Sequence, residues 1–198
     1  DEKDPDLVLL METDPWWQQQ MKPLEEEYTH QVLHPLDNTY GMLLYSRLPL
    51  HQAKVHYLLK DSIPSIHAYL NLPSGQRVKL YCLHPEPPVP KESKTSTKRD
   101  AEWLLVGRMV EEKNEPAIVT GDLNDVAWSP TSRLFRKTSQ MLDPRIGRGI
   151  FNTFHAQYPL FRWPLDHVYH TDHFQVVGLA VLPDVGSDHF PVYFNLSF

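Results

Sequence analysis

Five segments of the chain pair an apolar run with an acid or a histidine at its end. Glu12 follows Leu7–Met11, His84 follows Val78–Leu83, and Asp122 follows Ala117–Thr120 within Gly121-Asp122-Leu123-Asn124-Asp125. Asp166-His167 opens a fourth run after Trp163-Pro164-Leu165, and Ser187-Asp188-His189 comes a short loop after Phe174–Leu182. Strand ends converge on one edge of a sheet and build sites there. Several acids on one edge supply the oxygen ligands that a hard cation such as Mg²⁺ takes. Histidines among them can move protons or hold an anion near neutral pH. Each residue alone has an ordinary reading. Glu12 could be a strand-end charge or a helix cap, Asp122 a turn-forming side chain, His84 a satisfied buried imidazole, and Asp188-His189 a local loop hydrogen bond. Their order and types taken together point to chemistry.

The elements that must position these residues can be read from apolar pattern and breakers. Leu7–Met11 and Gly41–Ser46 are continuous apolar runs and read as buried strands. A helix is expected from Pro15 to Tyr28, with Asp14 as its cap and Pro15 in first position. Strands follow over Ala53–Leu59, Ser65–Leu72 and Arg77–Leu83, the last two joined by a turn at Pro73-Ser74-Gly75-Gln76. Pro85, Pro87, Pro88 and Pro90 mark a surface loop to about Ser96, and the basic Lys91–Arg99 stretch reads as mobile. A helix over Thr97–Lys113 should bury Ala101, Leu104, Leu105 and Met109 and expose Glu102, Arg108, Glu111 and Glu112. A strand at Pro116–Thr120 and a helix at Thr131–Gln140 come next. Strands at Phe151–Phe154, Leu165–Tyr169, Phe174–Leu182 and Val192–Leu196 complete a mixed α/β or α+β layout in one domain.

Composition narrows the class. The 198 residues are 41% hydrophobic and 22% charged, a globular balance that excludes disordered and collagen-like chains. No apolar run in this segment is long enough to span a membrane. Cys82 is the single cysteine, which excludes an internal disulfide and a cysteine zinc finger. The net charge of −6 argues against binding nucleic acid by bulk attraction. The charge is uneven, however. Val126–Leu165 holds Arg133, Arg136, Lys137, Arg145, Arg148 and Arg162 against the one acid Asp143, a local basic face suited to an anionic ligand.

The series Glu12, His84, Gly121-Asp122-Leu123-Asn124, Leu165-Asp166-His167 and Ser187-Asp188-His189 resembles the endonuclease/exonuclease/phosphatase superfamily, the DNase I-like phosphoesterases. Tyr40-Gly41-Met42-Leu43-Leu44-Tyr45-Ser46-Arg47 also looks like a strand of that family, and the resemblance runs from Asp6 to Phe198. It implies a four-layer sandwich of two mixed β-sheets flanked by helices. It also implies Mg²⁺ or Mn²⁺ as cofactor, with Glu12 as principal metal ligand and Asp188 helping to bind or orient the ion. By the same resemblance Asp122 would orient and deprotonate the attacking water, and Asn124 would hold the phosphate or that water. His189 would contact the phosphate, Asp166 would orient His189, and His84 would protonate the leaving group.

The family's first strand, which carries an asparagine, has no counterpart before Asp6, so the chain is expected to be an N-terminally truncated single domain, 1–198. The expected activity is a divalent-metal-dependent phosphodiesterase, a nuclease first of all, with a phosphate ester and nucleic acid as partners. A phosphatase or phosphodiesterase acting on lipid headgroups or inositol phosphates is the alternative, and a non-catalytic binding module the third reading. Bacterial members with N-terminal membrane segments leave a membrane-anchored parent open, and the compartment is not specified. Trp16-Trp17 is expected to pack the first helix. Tyr158–Pro164 reads as core or as a substrate loop. His167, His170 and His173 do not form a metal triad, since a strand points His167 and His170 to opposite faces.

Overall fold

A computed structural model of the chain describes residues 3–88, 95–158 and 160–198. Part of the expected proline-rich, basic loop (89–94) and Pro159 of the Tyr158–Pro164 segment lie outside the described residues. The chain divides into two compact units, Asp1–His84 and Pro85–Phe198.

In the first unit β1 (Leu7–Met11), β2 (His30–His34) and β3 (Met42–Ser46) form an antiparallel sheet in the order β1-β3-β2. The middle strand is buried along its whole length, as its unbroken apolar run requires. Leu43 and Tyr45 pack with Tyr28, and Val8, Leu10, Leu24 and Leu33 close over them. The expected long helix stops early. α1 covers only Pro15–Gln20, capped by Asp14, which accepts the Trp17 N–H at 2.9 Å. Pro23 has no N–H to continue the ladder, and a 3-10 helix, Lys22–Glu26, carries the chain toward buried Tyr28. Trp16 and Trp17 do not pack the helix. They are 59% and 43% exposed and meet edge to face.

β2 was not anticipated. Its two apolar residues, Val32 and Leu33, are adjacent and flanked by polar ones, so no period of two is visible. β4 (Leu50–His56), β5 (Ser65–Asn71) and β6 (Arg77–Leu83) follow as an antiparallel meander that ends at His84. The turn between β5 and β6 forms where expected, with Gly75 at φ +89° donating to the Leu72 carbonyl at 2.9 Å.

The second unit contains α2 (Thr97–Lys113), β7 (Ala117–Asp122), α3 (Pro130–Ser139), β8 (Asp166–His170), β9 (Gln175–Val181) and β10 (Val192–Ser197). β7 pairs antiparallel with β8, and β9 with β10. The expected strand at Phe151–Phe154 reduces to isolated bridges from Phe154 to Trp163 and His189. α2 has the expected span but a different buried face: Glu102, Trp103, Val106, Gly107 and Val110, while Ala101 is exposed. The Trp103 ring meets Phe135 of α3 edge to face at 5.8 Å. Glu102, expected on the solvent face, is buried there, and burial pushes its pKa up to about 7.

One glycine fixes the approach of the chain to the end of β1. Thr13 N–H donates to the Gly41 carbonyl at 3.1 Å, and Leu36 N–H to the Thr13 carbonyl at 3.0 Å. A Cβ on Gly41 would lie 1.8 Å from the Thr13 oxygen and 2.6 Å from the Leu36 nitrogen. Backbone, not a flexible side chain, would have to move. Gly41→Ala is therefore expected to destabilise the chain by about 2–4 kcal/mol, at the high end for single substitutions. Urea unfolding of the two proteins measures this, and an unchanged midpoint would refute the close approach.

Candidate active site

The register of β7 on β8 sets Asp122 directly opposite Asp166. Like charges in that relation repel. The imidazole of His189 lies against both, with Nδ1 2.7 Å from Asp166 Oδ2 and Nε2 3.6 Å from Asp122 Oδ2. An ionised carboxylate only accepts, so Nδ1 donates to Asp166. The 3.6 Å approach is an ionic attraction rather than a hydrogen bond. Burial alone would lower the His189 pKa. The hydrogen bond and charge of Asp166, with Asp122 and Asp188 nearby, outweigh burial and push it up to about 9. His189 is thus an imidazolium at neutral pH, a donor and a positive charge rather than a base.

The loop after β9 brings His189 to this place. Ala156 N–H donates to the Asp188 carbonyl at 2.7 Å, and Phe190 N–H to the Thr153 carbonyl at 2.8 Å. The Phe154 ring lies 4.9 Å from the His189 ring. Thr153 Oγ1 accepts the Asp166 N–H at 3.3 Å, which ties the same segment to β8.

The loop that follows β7 is held at nearly every residue. Gly121 has φ +142° and Asn124 +53°, conformations that suit glycine and asparagine. Asp122 Oδ1 accepts the Asn124 N–H at 2.8 Å, which fixes the carboxylate's orientation. Leu123 N–H donates to the Leu165 carbonyl at 3.0 Å, and its own carbonyl accepts Trp103 Nε1–H at 3.1 Å. Arg99 donates to the Asn124 carbonyl and pairs with Asp125 at 3.1 Å. Asn124 Nδ2 donates to the Pro85 carbonyl at 3.0 Å, which fixes the amide and its oxygen.

Glu12 and His84 belong to the first unit. Glu12 stands just past β1 at φ +59°, a sparsely populated conformation for a side-chain-bearing residue, and its carboxyl is 56% exposed. Its Oε1 lies 3.8 Å from Nε2 of His84, which is buried and 5.4 Å ring to ring from Tyr40. Asp188, in the second unit, is also exposed. Among the described residues no three His, Cys, Asp or Glu side chains are gathered as a ready cation cage. Glu12 in the first unit and Asp188 in the second are each a solvent-facing carboxylate, the donor type that a hard divalent cation takes.

The sequence reading missed the buried support of this site. Arg145, counted there among the ligand-facing cations, is 7% exposed and doubly bonded to Asp143 at 2.9 Å. It also lies 2.7 Å from His167 Nδ1. His167 Nε2 is 2.7 Å from the Asp125 carbonyl, which can only accept, so the proton sits on Nε2 and Nδ1 accepts from Arg145 and from Tyr169 at 2.9 Å. Burial, then the Arg145 charge, hold the His167 pKa down at about 3. His167 and His170 are both buried, on opposite faces of β8.

The endonuclease/exonuclease/phosphatase family model matches residues 1–189, and the chain belongs to that family. Its fold is the DNase I-like mixed α/β fold, shared with several solved structures. D. rerio TDP2 complexed with a single-strand DNA product has a TM-score of 0.79 at 17% identity, over 98% of this chain and 86% of that one. The human Nocturnin catalytic domain with a bound sulfate anion has a TM-score of 0.74 at 17% identity, over 98% and 81%. A family protein from Beutenbergia cavernae has a TM-score of 0.74 at 20% identity, over 97% of this chain and 62% of that one. A search of the curated proteins finds no significant match. Among the described residues no helix is long and apolar enough to cross a membrane.

Two titrations test this geometry. In the metal-free chain, Asp166→Asn removes the strongest partner that raises the His189 pKa, so that value should fall from about 9 toward the ordinary histidine range. NMR of the ring protons reports it, and a value still near 9 would show that Asp166 is not the cause. His167 gives the opposite sign. An unfolded histidine takes up a proton near 6.5, the folded one only near 3. Its contribution to stability is whole above pH 6.5 and is lost as pH falls toward 3. His167→Gln should flatten that acid-side decline in urea midpoints measured from pH 7 to 4.

Proposed function

We propose that this chain carries a divalent-metal-dependent phosphodiesterase site and that its substrate class is nucleic acid. The observation that carries the reading is the imidazolium of His189 held between Asp166 at 2.7 Å and Asp122 at 3.6 Å. Asp122 is oriented through Oδ1 by the Asn124 N–H, so its other oxygen is positioned to hold and deprotonate the attacking water. The His189 imidazolium places a donor where charge develops on a phosphoryl oxygen. Asp166 holds that ring in one tautomer and keeps it charged. Asn124, its amide fixed on Pro85, presents its oxygen and remaining N–H to water or phosphate. His84, whose Nε2 lies 3.8 Å from Glu12 Oε1, is the proposed donor to the leaving group.

A bound Mg²⁺ or Mn²⁺ supplies charge neutralisation on the phosphate. Glu12 and Asp188 are the carboxylates proposed to hold it. The nucleic-acid reading is supported by the surplus of basic residues after Asn124 and by the single-strand DNA product bound to TDP2, a relative in fold.

The test is hydrolysis of bis-(p-nitrophenyl) phosphate and of a labelled oligonucleotide with Mn²⁺ or Mg²⁺, against an EDTA control. Asp122→Asn keeps size and removes the base, so turnover should drop by about 10²–10⁴-fold while the fold is retained. His189→Ala should lose comparably. Undiminished turnover in folded Asp122→Asn would sink the mechanism. Hydrolysis of lipid-headgroup or inositol phosphates, without cleavage of the diester or oligonucleotide, would replace the substrate class.

A further inference from the structure

The second unit holds a cavity of about 480 Å³ that the catalytic reading does not use. Its wall begins at Ala127 and Trp128, three and four residues past Asn124, and continues through Arg133 and Arg136 of α3 to Arg145, Ile146 and Arg148. Trp128 is 51% exposed and Ile146 61%. Arg133 is exposed, and Arg148, also exposed, donates to the Pro144 carbonyl at 3.0 Å. Two of the guanidinium groups are not saturated. Arg145 Nη1 and Arg136 Nε are buried and find no hydrogen-bond partner among the described residues. Arg145 is more than nine-tenths buried and lines this cavity. A buried cationic N–H without an acceptor is costly and marks a place where an external acceptor belongs.

From this geometry we propose that the groove binds a single strand of nucleic acid, its phosphates on Arg133, Arg136 and Arg148 and a base on the Trp128 ring. The proposal deepens the nuclease reading and rests on it for the strand's purpose. A flat indole beside several planar guanidinium groups matches an alternation of base and phosphate. The chain as a whole carries −6, so a polyanion is repelled except where such a local surplus exists. The groove is also coupled to the Asp122 loop. Arg145 holds His167, and His167 holds the Asp125 carbonyl. A strand seated on the arginines would therefore lie beside the segment that carries Asp122 and Asn124.

The experiment uses the full chain, a fluorescein-labelled twelve-nucleotide oligothymidylate, and fluorescence anisotropy in EDTA, so that binding is read without cleavage. Three folded proteins are compared: the parent chain, Arg133→Gln/Arg148→Gln, and Trp128→Ala. The double variant should weaken binding about tenfold or more and make the dependence of log K on log salt shallower by one to two. Trp128→Ala should weaken binding about tenfold with little change in that slope. Turnover of bis-(p-nitrophenyl) phosphate with Mn²⁺ should be unchanged in both, since neither set touches the proposed catalytic groups. Unaltered oligonucleotide affinity in both variants would overturn the proposal. So would a parent chain that sediments with phosphatidylglycerol vesicles yet ignores the oligonucleotide. Loss of binding in the variants, with no diester turnover in any of the proteins, would support the groove and refute the catalytic reading instead.

Discussion

Two carboxylates set face to face across one pair of strands are the constraint around which the second unit is arranged. Asp122 and Asp166 occupy opposite positions of the β7–β8 ladder, and ladder geometry allows no escape from their repulsion. A positive group has to lie against both. His189 does so from a distant part of the sequence, and the carboxylates in return keep its ring charged despite burial. The pair would repel without the ring, and the ring would lose its proton without the pair. A charged imidazole held this way keeps its remaining N–H as a donor for any further acceptor that reaches it.

Such a cluster is useful only if its members do not drift, and the backbone around Asp122 shows how drift is prevented. The Leu123, Asn124 and Asp125 carbonyls accept from Trp103, Arg99 and His167 in turn. Three donors from two elements, α2 and β8, thus hold three successive peptide groups. Each donor is itself buried among partners: Trp103 against Phe135, Arg99 against Asp100, His167 against Arg145 and Tyr169. The neutral state of His167 is part of this device. A ring protonated on both nitrogens could not accept from Arg145, so the same low pKa that makes the residue useless as an acid or base makes it a good strut.

What the sequence revealed, and what it hid, follows from this division between edge and support. β1 was legible to the residue because its apolar run is uninterrupted, and β5 and β6 because the Pro73–Gln76 turn bounds them. The proposed site residues stood out in the sequence because most of them flank such runs. α1 is shorter than expected because Pro23 lies inside the expected span, and β2 has no visible pattern because pairing with β3, not apolar alternation, makes His30–His34 a strand. On α2 the buried face is not the one its hydrophobic residues mark, since Glu102 and Arg99 lie on it beside Trp103. Arg99 faces inward because it serves a backbone carbonyl and Asp125, a demand made by a loop 25 residues away and invisible in local composition. Arg145 was misread for the same reason, since its partner Asp143 is two residues off but its purpose, His167, lies in another strand.

That misreading changes what the basic segment means. With Arg145 and Asp143 closed on each other, and Arg162 over the Phe190 ring, the charges still facing outward are fewer than the composition suggests. Those that remain around the Trp128 cavity are arginines on or beside α3. α3 starts five residues after Asp125, capped by Ser129 with Pro130 in first position, and Ser132 bonds Tyr169, the same hydroxyl that supports His167. The helix that presents the cations and the histidine that anchors the Asp122 loop are therefore fixed to one tyrosine. A shift of α3 would reach the Asp125 carbonyl through three hydrogen bonds, Ser132 to Tyr169, Tyr169 to His167 and His167 to Asp125.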